Sequence, residues 1–349
     1  MQRRRARRHL PSTEARDSVT RAEPMTEFLL VEAGERAPQR LRLKALELLD
    51  ESIAGLDLLG VDARKASHDV RRRLKELRAL IGLLRDALPD KGREERDLFR
   101  DAAAELAAVR DSEAALSAFD RLRERFASVW TPRKFLSIRR ALKQRAVSTV
   151  SDASVEQVRS ALCIERGRIA AWPVDEMRRD NLLPALIRGY RSSRRRMRRA
   201  MRDRTAARIH QWRRRVKTHG LQAQFFTTVG LTMVESHRKG VRDLWHILGD
   251  HHDLALIEDI CDRSPESLGS VRTIRVFRQF VERRLRELEE DASSKGDQLF
   301  QQRTRDWEEH LRLQARAAGL LAPDSGDRRR RGPKKSPPSR TSTPSAISA

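Results

Sequence analysis

His68-Asp-Val-Arg71-Arg72-Arg73-Leu74-Lys75 and His210-Gln-Trp-Arg213-Arg214-Arg215-Val216-Lys217 are two copies of one pattern, 142 residues apart (68 to 210). A second pair of landmarks keeps the same distance. Leu106-Ala-Ala-Val-Arg-Asp111 faces Leu248-Gly-Asp-His-His-Asp253, so each histidine is followed by an aspartate 43 residues later. Two matched landmarks at one offset indicate a duplicated unit. At about 100° per residue a helix puts His68, Arg71, Arg72, Lys75 and Arg78 on one face. Val70, Leu74, Leu77, Ile81 and Leu84 then fall on the opposite face. The second copy behaves alike: His210, Arg213, Arg214 and Lys217 share a face, and Ile209, Trp212 and Val216 lie away from it.

The same periodicity runs almost throughout from about Pro38 to Leu320. Pro89 is expected to end one helix and Pro132 to start another, while Pro173 and Pro184 interrupt or open later ones. Alternating strand patterns are missing from the sequence, and aromatic residues are only 5% of it. The expected fold is all-α. Residues 1–36 mix Arg with Pro, Ser and Glu and read as a flexible basic N-terminus. From residue 321 onward Pro, Ser, Thr, Gly and Arg dominate, which reads as a disordered basic tail. The domain expected between them covers 37–320, with one repeat at about 37–150 and the other at about 177–320.

Charge decides the class of partner. The formal net charge is +24. Residues 1–8 contribute five Arg and no acid, and 328–340 contribute seven Lys or Arg and no acid. Residues 187–217 hold 14 Lys or Arg against the single acid Asp203. Within that segment Tyr190, Met197 and Met201 make an apolar stripe, and Arg191, Arg194, Arg195, Arg198, Arg199 and Arg202 a cationic one. A solvated helix face normally mixes signs, because like charges at i, i+4 cost about 0.2–0.5 kcal/mol each. A cationic block inside an apolar-periodic segment points to an anionic ligand more strongly than a basic tail does. Arginine forks match the repeated oxygens of phosphate, lysine adds a mobile point charge, and imidazole donates a hydrogen bond.

These residues resemble a known family. His68 with Arg71, Lys75 and Arg78 is similar to the first signature of the CHAD domain, the conserved histidine α-helical domain. Gly189-Tyr190-Arg191-Ser-Ser-Arg194-Arg195-Arg196-Met-Arg198-Arg199-Ala200 resembles its second-half opening helix. His210 to Lys217 resembles its second histidine signature, and Leu248 to Ala255 the segment that closes its repeat. Gly220 and Leu221 depart from the family, which usually continues with basic residues there. The resemblance spans about 38–315. It implies two tandem four-helix bundles related by a pseudo-twofold axis around a basic cavity or groove. It also implies binding of inorganic polyphosphate and, in many members, association with polyphosphate granules. It adds Arg283 and Arg284 as further ligand candidates.

Other classes fit less well. A metal site at His246, His251, His252 and Asp253 lacks i, i+3 or i, i+4 pairing. A polyphosphate or triphosphate hydrolase would need carboxylates clustered for divalent metal, and Glu287 and Glu289 are followed by Asp291 where tunnel triphosphatases carry lysine. No Walker loop or Gly-x-Ser-x-Gly is present, so the expectation is a non-catalytic protein without metal or cofactor. Nonspecific nucleic-acid binding, mainly through residues 1–8 and 328–340, is the alternative. The aromatic residues do not interleave with the basic stripes as a single-strand platform would require. No stretch approaches 18 apolar residues, no signal peptide is legible, and Met25 is a second candidate start. A cytoplasmic protein with two buried free thiols, Cys163 and Cys261, is expected.

Overall fold

The computed structural model describes residues 37–88, 91–106, 108–145, 151–226 and 231–321. Every regular element among them is helical: α1 (Ala37–Asp57), α2 (Ala63–Leu83), α3 (Lys91–Glu105), α4 (Ala108–Arg125), α5 (Leu136–Arg145), α6 (Asp152–Ala170), α7 (Leu183–Asp203), α8 (Ala206–Gln224), α9 (Thr232–Arg263), α10 (Val271–Leu299) and α11 (Thr304–Ala317). The basic stretches 1–8 and 328–340 and residue Pro89 lie outside the described residues.

Local chemistry explains the boundaries. Asp62 accepts the Lys65 N–H at 3.0 Å, Thr205 that of Arg208 at 3.3 Å and Ser270 that of Thr273 at 3.2 Å, which caps α2, α8 and α10. Pro184 stands in the first turn of α7, where its missing donor costs nothing. α6 stops at Ala170, ahead of Pro173.

The 142-residue shift carries α1 onto α7, α2 onto α8, α5 into α10 and α6 across the end of α10 and the start of α11. The copies differ at one place. α9 is a single helix of 32 residues where the first copy is broken into α3 and α4 after Glu105.

The apolar faces pack into two cores. The larger takes side chains from α1, α2, α3, α6, α7, α8, the first part of α9 and α11, with Leu74, Leu77, Tyr190, Trp212 and Val216 completely covered. The smaller joins α4 and α5 to the second part of α9 and to α10 around Phe119, Trp130, Phe135 and Phe277, with ring centroids 4.6–6.2 Å apart. Each core therefore draws on both copies of the repeat.

α8 sits between α2 and α7, and two glycines let it approach. A Cβ on Gly82 of α2 would lie 2.8 Å from Gln222 Nε2, and one on Gly189 of α7 would lie 2.7 Å from His219 Nδ1. Gln222 fills the gap and donates to the Ala79 carbonyl at 3.4 Å. The junction between the copies is thus made without larger side chains at these two positions.

One expectation about the thiols is corrected. Cys261 is buried in the smaller core, but Cys163 is exposed. Leu162 beside it points into the core, which turns Cys163 and Ile164 outward on α6.

Candidate functional site

α7 and α8 form a tight antiparallel pair. Arg204 ends α7 in the left-handed conformation (φ 44°, ψ 33°), donating its N–H to the Ala200 carbonyl at 2.8 Å. Thr205 follows at once as the cap of α8. The apolar stripes of the two helices face inward, so their arginines are forced onto the outer surface together. Arg191, Arg195, Arg198, Arg199 and Arg202 are all exposed. With Arg194 and with Thr304 at the start of α11 they line a cavity of about 300 Å³. Arg194 is oriented by its Nε, which donates to the Phe300 carbonyl at 2.9 Å.

A second cationic cluster spans the two copies. Arg78 of α2 is held below its ordinary value by burial, then by Arg214 of α8 and by Arg100 and Arg96 of α3, while Asp97 acts in the opposite sense. Arg215 of α8 is lowered by burial and then by Arg196, Arg214, Arg195 and Arg96. Like charges from α2, α3, α7 and α8 thus sit near enough to oppose one another's protonation. Arg195 belongs to both groups: it lines the α7 cavity and acts on Arg215. Arg196 Nη1 donates to Gln211 Oε1 at 2.6 Å, which fixes it between the two helices.

The remaining expected residues are placed as follows. His68 is exposed, with Nδ1 3.4 Å from Asp69 Oδ1. Arg71 is buried, and its Nη1 donates to the Leu106 carbonyl at 3.3 Å, which also accepts Ser67 Oγ at 2.8 Å. Position 71 borders the apolar stripe, and the end of α3 offers a carbonyl that lacks a helical partner, so this guanidinium is taken off the cationic face. Arg72 is half-buried between Asp69 and Glu76, at 4.0 and 3.9 Å. Lys75 and Arg213 are half-buried and Arg214 is exposed. His210 Nδ1 stands 3.3 Å from His252 Nδ1 of α9. Lys217 places its ammonium 4.1 Å from the Trp245 ring centre. Arg202 meets Asp203 at 2.9 Å. Arg283 and Arg284 share Glu287, at 3.5 and 2.9 Å, with Arg125 of α4 at 3.1 Å. Their partners are on α4 and α10, not on α2, α7 or α8. Asp253 accepts from Arg121 at 3.0 Å. The Asp111 side chain is outside the described residues.

Sequence reasoning overlooked Arg96 and Arg100, which α3 brings to Arg78. They are interleaved with Glu94, Glu95, Asp97 and Asp101, so the segment looked like a mixed, solvated face. It also overlooked Arg215, which lies off the face counted from His210, and His252, whose spacing argued only against a metal. Among the described residues no three His, Cys, Asp or Glu side chains are grouped to hold a metal ion. No helix there is long and apolar enough to cross a membrane.

No curated protein and no solved structure matches the chain. The family model described as the CHAD domain matches residues 36–262. That stretch contains both histidine helices, the arginine helix α7 and the segment from Leu248 to Asp253, so the chain belongs to the CHAD domain family.

Proposed function

We propose that the protein binds long inorganic polyphosphate without transforming it. The arginine wall shared by α2, α3, α7 and α8 is the binding surface. The observation that carries this reading is the crowding of Arg78, Arg214, Arg215, Arg195, Arg196 and Arg96 from both copies, in which the leading charges acting on Arg215 are positive. Such crowding weakens the unliganded protein and is relieved by a polyanion. Polyphosphate gives each guanidinium the same bidentate target, so contacts are replaceable and long chains gain by sharing one ordering cost. On this reading the two copies are four-helix units related by a pseudo-twofold axis near α2 and α8, and the wall is the groove between them. His68, Lys75, Arg78, Arg191, Arg195, Arg198, Arg199, Arg202, His210, Arg213, Arg214 and Lys217 belong to this surface, and Arg72 is tied at its edge by Asp69 and Glu76. Arg71 supports it from below, and Arg283 and Arg284 are peripheral. Family membership adds weight, and association with polyphosphate granules in the cytoplasm is part of the same proposal.

Against single-stranded nucleic acid stands the burial of the rings that could stack on bases. Tyr190, Trp172 and Trp212 are covered, and Trp245 carries Lys217. The test is competition between long polyphosphate and single- or double-stranded nucleic acid for the full chain at physiological salt. Polyphosphate is expected to displace both, and displacement by nucleic acid would overturn the assignment. Incubation with polyphosphate and magnesium or manganese is expected to release no phosphate. Release that a variant of the wall abolishes would make the protein an enzyme.

A further inference from the structure

The first half of α3 is seated by a polar side chain. Over residues 92–98 the buried positions are Gly92 and Glu95, so the one side chain that this half sinks into the protein is a carboxylate. Glu95 accepts the Trp172 indole N–H at 2.8 Å, and the two residues are only 3% and 1% exposed. A carboxylate so covered is costly without its donors, which makes the seat specific. Trp172 is itself fixed. Its carbonyl accepts Arg42 Nη1 of α1 at 3.1 Å and the Val174 N–H at 2.8 Å, and Arg42 also pairs with Asp175 at 3.1 Å. A chain of polar contacts therefore runs from α1, through the segment after α6, to α3.

At the far end of that chain stands Arg96, next to Glu95. Its Nε donates to the Gly92 carbonyl at 2.9 Å, and its other nitrogens have no acceptor among the described residues. Gly92 keeps α3 close to α2: a Cβ there would lie 3.1 Å from Leu88 Cβ and 3.2 Å from Ile81 Cγ2. Arg96 acts on both Arg78 and Arg215, so it reaches the wall from α3. Arg100, by contrast, is tied to Asp97 and Asp101 at 2.6 and 2.9 Å.

The second copy lacks this anchor. Gln314 and His237 stand 142 residues after Trp172 and Glu95, and His237 meets His219 instead, at 3.0 Å. There α9 is continuous, whereas α3 ends at Glu105 and α4 begins at Ala108. A helix broken from its successor has to be held from elsewhere.

We propose that the Glu95–Trp172 hydrogen bond sets the place of α3 so that Arg96 meets the polyanion. Glu95 and Trp172 are thus positioning residues of the binding surface. The inference rests on the polyphosphate reading above.

The experiment is a double-mutant cycle on the full chain, read as affinity for long polyphosphate and its salt dependence. Arg96→Gln is expected to weaken binding about tenfold and to lower the slope of log affinity against log salt by about one. Trp172→Phe keeps an aromatic ring in the core and removes the indole N–H. Alone it is expected to weaken binding about fivefold and to lower the slope in the same sense; added to Arg96→Gln it should change affinity by less than about twofold. Where Trp172→Phe does not fold at the assay temperature, Glu95→Met takes its place with the same expectations, because it ends the bond without leaving a buried carboxylate unpaired. A merely structural bond would lower the Tm, leave the slope alone and weaken binding by the same factor in both backgrounds. Equal factors, or no loss on removing the bond, would overturn the anchor and leave polyphosphate binding intact. No binding by the wild type would overturn the polyphosphate reading itself.

Discussion

α2 and α8 carry the same eight-residue pattern but put it to different use. In α2 the cations are largely answered from within the protein: Arg71 by the Leu106 carbonyl, Arg72 by Asp69 and Glu76, and Arg73 by Glu51 at 2.6 Å. Arg78, near the end of the helix, is set against cations from α3 and α8. In α8 the charges acting on His210 and Arg215 are positive and come from α7 and α3 as well as from α8 itself. The duplicated motif has thus diverged: α2 ties most of its cations to acids or a carbonyl, and on the proposed reading α8 is the copy that grips the ligand. A run of arginines is a binding surface only where acids and carbonyls do not reach it first.

The sharpest way to break this comparison is substitution on the two helices in parallel. Arg78→Ala, Arg214→Ala and Arg215→Ala together should weaken polyphosphate binding about 1000-fold, since each charged hydrogen bond contributes about 1.5 kcal/mol. Arg72→Ala with Arg73→Ala should change affinity by less than about threefold. Equal losses measured by titration would erase the distinction.

Acid stability separates the copies next. His219 and His237 of the second copy meet at 3.0 Å in the larger core, beside Tyr190 and Trp307. Burial pushes His219 well down and His237 to about 4. The first copy has Leu77 and Glu95 at the corresponding positions. The folded values lie below those of free histidine, so the stabilisation is full above about pH 6.5 and is lost as pH falls towards 4. Denaturant titrations should show a decline of a few kcal/mol over that window, flattened in His237→Gln. A wild-type profile that stays flat would contradict it.

Arg71→Met should cost about 1–2 kcal/mol by leaving the Leu106 carbonyl with one donor fewer, seen as a lower Tm. Its polyphosphate affinity, measured where the variant is folded, should not move. The smallest effect is expected on α10. Arg283→Ala with Arg284→Ala should alter affinity by less than about twofold, because both guanidiniums are held by Glu287.

Much of the fold was legible. The covered stripes Val70–Leu74–Leu77–Ile81 and Ile209–Trp212–Val216 follow from helical spacing alone, and Pro132 and Pro184 open elements as their chemistry requires. The sharing of both cores between the copies was not legible, because periodicity gives each helix a face and says nothing of which helix covers it. The α7 row was readable from composition, since one acid among 14 cations cannot pair with most of them. The Arg71 contact with the Leu106 carbonyl was not legible, because helical angle places a Cβ, whereas a long side chain reaches beyond it. Arg96 and Arg100 were hidden by the acids that alternate with them, two of which, Asp97 and Asp101, pair with Arg100 at 2.6 and 2.9 Å.

The most direct measurement is the salt dependence of polyphosphate affinity for wild type, Arg72→Gln, Arg78→Gln and Arg214→Gln. If cations of both copies hold one chain, Arg78→Gln and Arg214→Gln should each lower the slope of log affinity against log salt by about one, and Arg72→Gln should leave it unchanged. Slopes that fall alike for Arg72 and Arg78, or that do not fall for Arg78 at all, would contradict a wall built jointly by α2 and α8.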